Sequence, residues 1–313
     1  MIYNLSFDIL YTMSEYYNKG ELFMEPVTQQ YGNHMVMTNV HKPQKNKYIN
    51  IDTKFRDDYD FTQPASFQIV LPERVNDVRS MRVTNVEVPI TFYNISTDLD
   101  NNSFKIVNGA NTEIITVENN NYDSTSLLSH INDKLTASTY GSGITFANNT
   151  NKHTVTSTSN ISIIFNIDKD GHSDKFQFKQ KLGWLLGFRK PNYDMLTNIT
   201  LSAECIPDLS GPRYLYLAID EFSKGNQHTF ITPLSYSSIN KNVIARIALD
   251  MKRYEYGSVL PANDKIGYLT TNARHYTGKV DLQKLHVQLL NESGKPIMLN
   301  GNDFSFCLEV ACE

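Results

Sequence analysis

The 313-residue sequence predicts a mainly β protein: a single jelly-roll β-sandwich of about eight antiparallel strands, with a small α+β insertion domain and an extended N-terminal arm. Three observations predict it. Apolar side chains alternate with a period of two through two separate stretches, Tyr48 to Ile90 and Ile199 to Val310, as strands with one buried face require. The block between them breaks that period and holds the clearest helical stripe in the chain. The first residues follow neither pattern over any useful length. The expected layout is an arm at 1–46, the first part of the jelly roll at 47–99, the insertion at 100–195 and the second part of the jelly roll at 196–313.

Within the arm, Leu5, Ile9, Met13 and Tyr16 recur at helical spacing and predict a short amphipathic helix. Gly20, Pro26, Gly32 and Pro43 make the rest irregular. Such a segment has little core of its own and needs docking, a neighbouring subunit being the natural candidate. Lys42, Lys45 and Lys47 read as a solvated turn before the first strand.

Tyr48-Ile49-Asn50-Ile51 opens the alternation, and Phe67, Ile69 and Leu71 continue it up to Pro72. Met81 and Val83 then share one phase, while Val86, Val88 and Ile90 take the other. A phase change inside one run predicts a β-bulge near Asn85. In the insertion, Phe104/Ile106 and Ile115/Val117 flank a turn at Asn108-Gly109. Ser124 is the expected N-cap of a helix whose stripe is Leu127, Leu128, Ile131 and Leu135. Strands follow at Ile144–Phe146, Thr154–Thr156 and Ile161–Ile167.

The most apolar run is KLGWLLGFR, Lys181 to Arg189, which carries the sole tryptophan, Trp184. Phe178, Leu182, Leu185 and Leu186 predict a short helix capped by Asp174. Gly187 falls where a left-handed C-terminal turn belongs, Phe188 where the chain folds back, and Pro191 forbids continuation. After it, Ile199/Leu201, Leu215/Leu217/Ile219, Val243/Ala245/Ile247/Leu249, a short stretch at Ile266–Leu269, Leu285/Val287/Leu289 and Phe304/Phe306/Leu308/Val310 mark strands. A turn at Asn291-Glu292-Ser293-Gly294 precedes the last of them. Long polar loops between them suit Greek-key connections.

Composition narrows the function. Net charge is −4 and the pI about 6.1; without a cationic excess, no specific nucleic-acid partner is expected. No apolar run reaches the ~18–20 residues of a membrane span, so Gly183 and Gly187 form no membrane dimerisation motif. The start lacks a basic region and carries Asp8, which predicts a chain kept in the cytosol. In that setting the sequons at Asn4, Asn94, Asn101, Asn148, Asn160, Asn198 and Asn291 reflect only abundant asparagine. Cys205, Cys307 and Cys312 are an odd set with no disulfide framework; Cys307 and Cys312 fall on opposite faces of one strand.

The histidines, at 34, 41, 130, 153, 172, 228, 275 and 286, match no metal-binding spacing. His286 belongs to the polar face of its strand. Phosphate loops, nucleophile elbows and dinucleotide fingerprints are absent from the sequence. Asn166 to Gln177 matches a calcium loop at Asp168, Asp170, Gly171 and Asp174, but Asn166 and Gln177 occupy the two decisive ends, so a solvated turn is expected. The acidic pairs Asp57-Asp58 and Asp220-Glu221 have no assignable acid–base role. The expectation is a non-enzyme with no catalytic, cofactor-binding or metal-binding residue.

Several segments resemble a known family. Tyr48-Ile49-Asn50-Ile51-Asp52-Thr53-Lys54-Phe55-Arg56-Asp57 resembles the opening strand of single-jelly-roll capsid proteins of large eukaryotic (nucleocytoplasmic) DNA viruses. Leu71-Pro72, Val86-Glu87-Val88-Pro89, Tyr93-Asn94 and Leu186-Gly187-Phe188 are similar to later landmarks. Leu289 to Pro296 and Asn300 to Phe306 resemble the final hairpin, so the likeness runs over roughly residues 47–312. It implies a penton: a structural virion protein assembled in the host cytoplasm, homopentameric at icosahedral vertices, with the insertion facing outward. It also implies contacts to the major capsid protein and other minor capsid proteins, with a vertex fibre or host-surface glycan as further partners. Another minor capsid or vertex-associated role, or a glycan-binding attachment module, is the alternative. Asp52 and Arg56 are read as a structural charge pair at the strand end, and Pro89 and Tyr93 as turn and core residues. The N-terminal arm matches no family landmark.

Overall fold

A computed structural model describes residues 44–59, 63–174, 177–222, 230, 239 and 242–313. The predicted N-terminal helix, Lys42, His34, His41 and His228 lie outside them.

The first strand, β1 (Lys45–Asp52), begins three residues before the sequence alternation suggested. It is followed by β2 (Ser66–Pro89), which is continuous through Pro72 rather than ending there. The exception has a local cause. β2 pairs through Val70 and again from Val75, and the ladder to its neighbour is irregular between those points. No ladder bond needs the missing proline N–H there. Further on, Val83 faces Leu308 and Asn85 faces Cys307, so Thr84 is the extra residue of a bulge. Val83 and Val86 are therefore both fully buried despite their odd spacing.

The second part of the chain supplies β10 (Tyr214–Asp220), β11 (Val243–Ala248), β12 (Val259–Asn263), β13 (Leu269–Thr271), β14 (Arg274–Leu290) and β15 (Ser305–Cys312). β12 escaped the sequence reading, because Val259-Leu260-Pro261-Ala262-Asn263 is short and centred on proline. The residue expected to open a strand there, Ile266, is instead an exposed loop residue.

Hydrogen bonding arranges these strands in two rows. One is β1–β15–the second half of β2–β12. The other is the first half of β2–β14–β10–β11, with β13 added beside β11. Every pairing is antiparallel, and β2 passes from one row to the other. Four strands in one layer face four in the other, to which β13 adds a short fifth, and the first and last strands are adjacent, as in a jelly roll. The two inner faces meet in a core that includes Met81, Val88, Leu217, Ile247, Val287, Phe306 and Leu308. Each such side chain stabilises the fold by about 1.5–3 kcal/mol, so a one-residue slip of β15 would forfeit four of them at once.

A second, separate core runs from Ile95 to Leu209. It joins a four-stranded sheet, made of β3 (Ser103–Asn108), β4 (Asn111–Thr116), β7 (Ile161–Ile164) and β8 (Asn192–Met195), to a three-stranded one of β5 (Ile144–Asn149), β6 (Lys152–Ser157) and β9 (Thr200–Ser202). Helix α1 (Ser124–Ala137) buries the predicted stripe. Its N-cap is Asp123, not Ser124: the Asp123 carboxylate accepts from the Ser126 N–H at 2.8 Å, and the Ser126 hydroxyl accepts from the Asp123 N–H in return.

The helix expected from Phe178 is also shorter than predicted. A 3-10 turn at Phe178–Gln180 gives way to a single α turn, α2 (Leu182–Leu185), because Lys181 is extended between them. Asp174 is engaged by Lys181 instead of capping. The ending is as expected: Gly187 has φ +97°, its N–H donates to Trp184, the Phe188 N–H donates to Gly183, and Phe188 is buried.

Candidate functional site

At one end of the sandwich the chain forms a polar knot. After β1, Thr53–Phe55 make a 3-10 turn that swings Arg56 inward, leaving it buried. Its guanidinium donates to Asp303 Oδ1 and to the Thr53 carbonyl, both at 2.7 Å, and stacks 4.0 Å from the Tyr59 ring. Thr53 donates to the same carboxylate oxygen at 2.8 Å and accepts from the Phe304 N–H. The expected pairing of Asp52 with Arg56 is therefore corrected. Asp52 accepts from the Lys54 N–H and pairs with the Lys54 ammonium at 3.0 Å, because the 3-10 turn places the two predicted partners on different sides.

The other quoted landmarks also fall at junctions. Asn94 donates to the carbonyls of Tyr122 and Leu209 and accepts from the Tyr122 N–H, lacing the first jelly-roll segment to both ends of the guest unit. Tyr93, half-buried, stacks on Tyr256. Asn291 Oδ1 collects the N–H groups of Ser293 and Lys295 in the final turn. Abundant asparagine thus serves turn chemistry.

Residues singled out for metal chemistry sit in one exposed hairpin turn. Asp168 Oδ1 accepts the N–H groups of Asp170 and His172, which hold its carboxyl below the usual range. Ligand atoms of Asp168, Asp170 and His172 lie within 4.8 Å of one another. Asp174 is directed to Lys181. His286 is half-buried on the outer side of β14, and Asp57 and Asp58 are exposed.

Glu221, by contrast, is wholly buried against Arg274, 2.6 Å from its Nη1. The same guanidinium donates to the carbonyls of Ile219 and Asn242, closing the base of the segment between β10 and β11. Burial and the Glu221 charge raise the neighbouring Tyr276 phenol. Sequence reasoning missed this cluster, since an arginine opening a polar strand has no periodic signature. It also missed the Lys181–Asp100–Asp174 cluster, whose one clue was a lysine heading the most apolar run.

In the guest unit, Ser124 Oγ lies 2.6 Å from Nε2 of His153. His153 is fully buried, and burial lowers its imidazole pKa. Ser124 is only part-buried at the start of α1, and its contact with the buried His153 ties that helix to β6. Tyr193 donates to Glu204 at 2.6 Å and is pushed up to about 12 by burial and then by that carboxylate.

Open surfaces include a strand edge and a cleft beside the guest unit. β1 pairs with β15 alone among the described residues, leaving one strand edge unmatched, with Tyr48 65% exposed on it. A cleft of about 120 Å³ separates the guest unit from the final turn, lined by Leu99, Lys179, Leu209, Pro212, Glu292 and Lys295 among others. No described helix is long and apolar enough to cross a membrane. The three cysteines are free.

Fold and site define a single jelly roll that carries a guest α+β unit, with Arg56, Asn94 and Arg274 at its joints. A family described as of unknown function (DUF5901) matches residues 36–275, and the chain belongs to it. No curated protein matches. Among solved structures, the chain is similar to the mavirus penton protein, with 10% identity, 85% of this chain and 99% of that one covered, and a TM-score of 0.40. It is also similar to a chain of the Sputnik virophage, with 14% identity, 87% and 98% covered, and a TM-score of 0.41.

Proposed function

We infer that this chain is a structural virion protein, and specifically a penton: a homopentamer at the icosahedral vertex that contacts neighbouring capsomers. The observation that supports this reading most is the strand-end knot. The opening and closing segments that carry the capsid resemblance, Thr53 to Arg56 and Asp303 to Phe304, lie about 250 residues apart yet meet through Arg56, Thr53 and Asp303. Two of the segments that carry the resemblance are thus joined physically, where β1 closes against β15. The open edge of β1 suits an assembly role, because unmatched strand edges invite a further chain. In this reading residues 1–46 reach a neighbouring subunit and residues 100–195 are displayed outward.

Assembly by packing requires interfaces of roughly 1,200–2,000 Å² each. Light scattering on the purified full chain, together with a particle reconstruction in which the chain is labelled, tests the proposal. Pentamers in solution and label on the five-fold axes are expected. Label at other shell positions would replace the penton by another minor capsid role. A chain that stays monomeric at high concentration and is missing from particles would overturn the shell role, and glycan-array binding would then favour an attachment module.

A further inference from the structure

Lys181 is the one lysine found buried among the described residues, with its side chain 1% exposed. Its Nζ contacts Oδ2 of Asp100 and lies 3.0 Å from Oδ2 of Asp174. Asp100 Oδ1 is buried and has no hydrogen-bond partner. As a plain ion pair this is poorly made. One buried ammonium faces two half-buried carboxylates, and a buried oxygen of Asp100 goes unsatisfied. The guanidinium pairs of Arg56 and Arg274 instead spread several donors over one carboxylate and nearby carbonyls.

A primary amine, a carboxyl group whose oxygen it contacts and a second carboxylate to carry a proton are the parts of an amide-forming site. We propose that Lys181 and Asp100 condense, with Asp174 as proton carrier, into an isopeptide bond that ties the two ends of the guest unit together. Asp174 takes one proton from the Nζ ammonium, and the freed lone pair attacks Cγ of Asp100. The bond from Cγ to Oδ2 breaks as the bond from Cγ to Nζ is kept. The departing oxygen leaves as water, carrying the proton held by Asp174 and a second one from the nitrogen. One ammonium and one carboxylate become one neutral amide and one water, Asp174 is regenerated, and no electrons are transferred. The link spans 81 positions, from the loop before β3 to the extended residue just before α2. It would restrain the unfolded chain as a disulfide does, in a protein whose cysteines are free.

Mass spectrometry of the purified full-length protein tests this. The expected wild-type mass is one water below that of the sequence, with a branched proteolytic peptide joining the segments of Asp100 and Lys181. Asp174→Asn should fold, as judged by circular dichroism, yet keep the full mass and give linear peptides; Lys181→Arg should do the same. Folded wild-type protein at full mass after prolonged incubation overturns the proposal. So does a water loss that maps to a linear peptide, as a cyclised Asp170-Gly171 would give. The wild-type result decides even if a variant fails to fold.

Discussion

Replacing Gly187 by alanine separates two costs that the structure assigns to one residue. Gly187 sits at φ +97°, and a Cβ added there would lie 2.2 Å from the Cys205 carbonyl oxygen and 3.0 Å from its carbon. Gly109, in the turn between β3 and β4, also has positive φ, at +61°, but a Cβ there meets nothing within 4 Å. The left-handed backbone costs either alanine about 1–2 kcal/mol. Only position 187 adds a clash with backbone, and Cys205 cannot simply retreat, because its N–H donates to the Gly187 carbonyl at 3.0 Å. Forcing the two loops apart adds about 1–3 kcal/mol. Gly187→Ala should therefore lose about 2–5 kcal/mol and Gly109→Ala about 1–2 kcal/mol. Urea unfolding followed by the fluorescence of Trp184 reads this directly. That ring packs edge-on to Phe178 and under the Arg189 guanidinium, three residues before the turn. Equal losses for the two variants would refute the close approach of Gly187 to Cys205.

Arg274→Ala removes the cation facing the buried Glu221 carboxylate and should cost about 3–5 kcal/mol in equilibrium unfolding; the double change Arg274→Met/Glu221→Leu should cost clearly less. Asp303→Ala takes a charged acceptor from Arg56 and Thr53 together and should cost about 2–3 kcal/mol, with Asp303→Asn restoring part of it, both read from denaturation midpoints. Because burial lowers the His153 pKa, the unfolded chain binds the proton more readily. Its contribution should be fully present above the unfolded value of about 6.5 and be lost progressively as pH falls toward the folded one. Trp184-monitored melts from pH 8 to 5 should show that loss, and His153→Gln, which cannot titrate, should flatten it.

Much of the fold was legible because a half-buried strand must alternate. Phe304, Phe306, Leu308 and Val310 announced β15, and the phase change at Asn85 announced the bulge. The Gly187 turn was equally legible, since glycine, then an apolar residue, then proline answer a purely local backbone demand. The misreadings arose where a distant group took over a local role. Asp174 looked like a cap until Lys181 engaged it. Asp52 and Arg56 looked like partners until a 3-10 turn intervened and Asp303 arrived from the other end of the chain. Pro72 ended the strand in the sequence but not in the structure, because the ladder there was already irregular.

The sequence by itself determined which faces are buried, where the period changes and where the backbone must turn left-handed, since those are decided within a few residues by sterics and hydrophobicity. Only the tertiary structure decided which charges are sealed together: Arg56 with Asp303, Arg274 with Glu221, Lys181 with Asp100 and Asp174. Most of those pairings join residues far apart in sequence that the fold makes neighbours, and the energy of a charge is set by what surrounds it after burial.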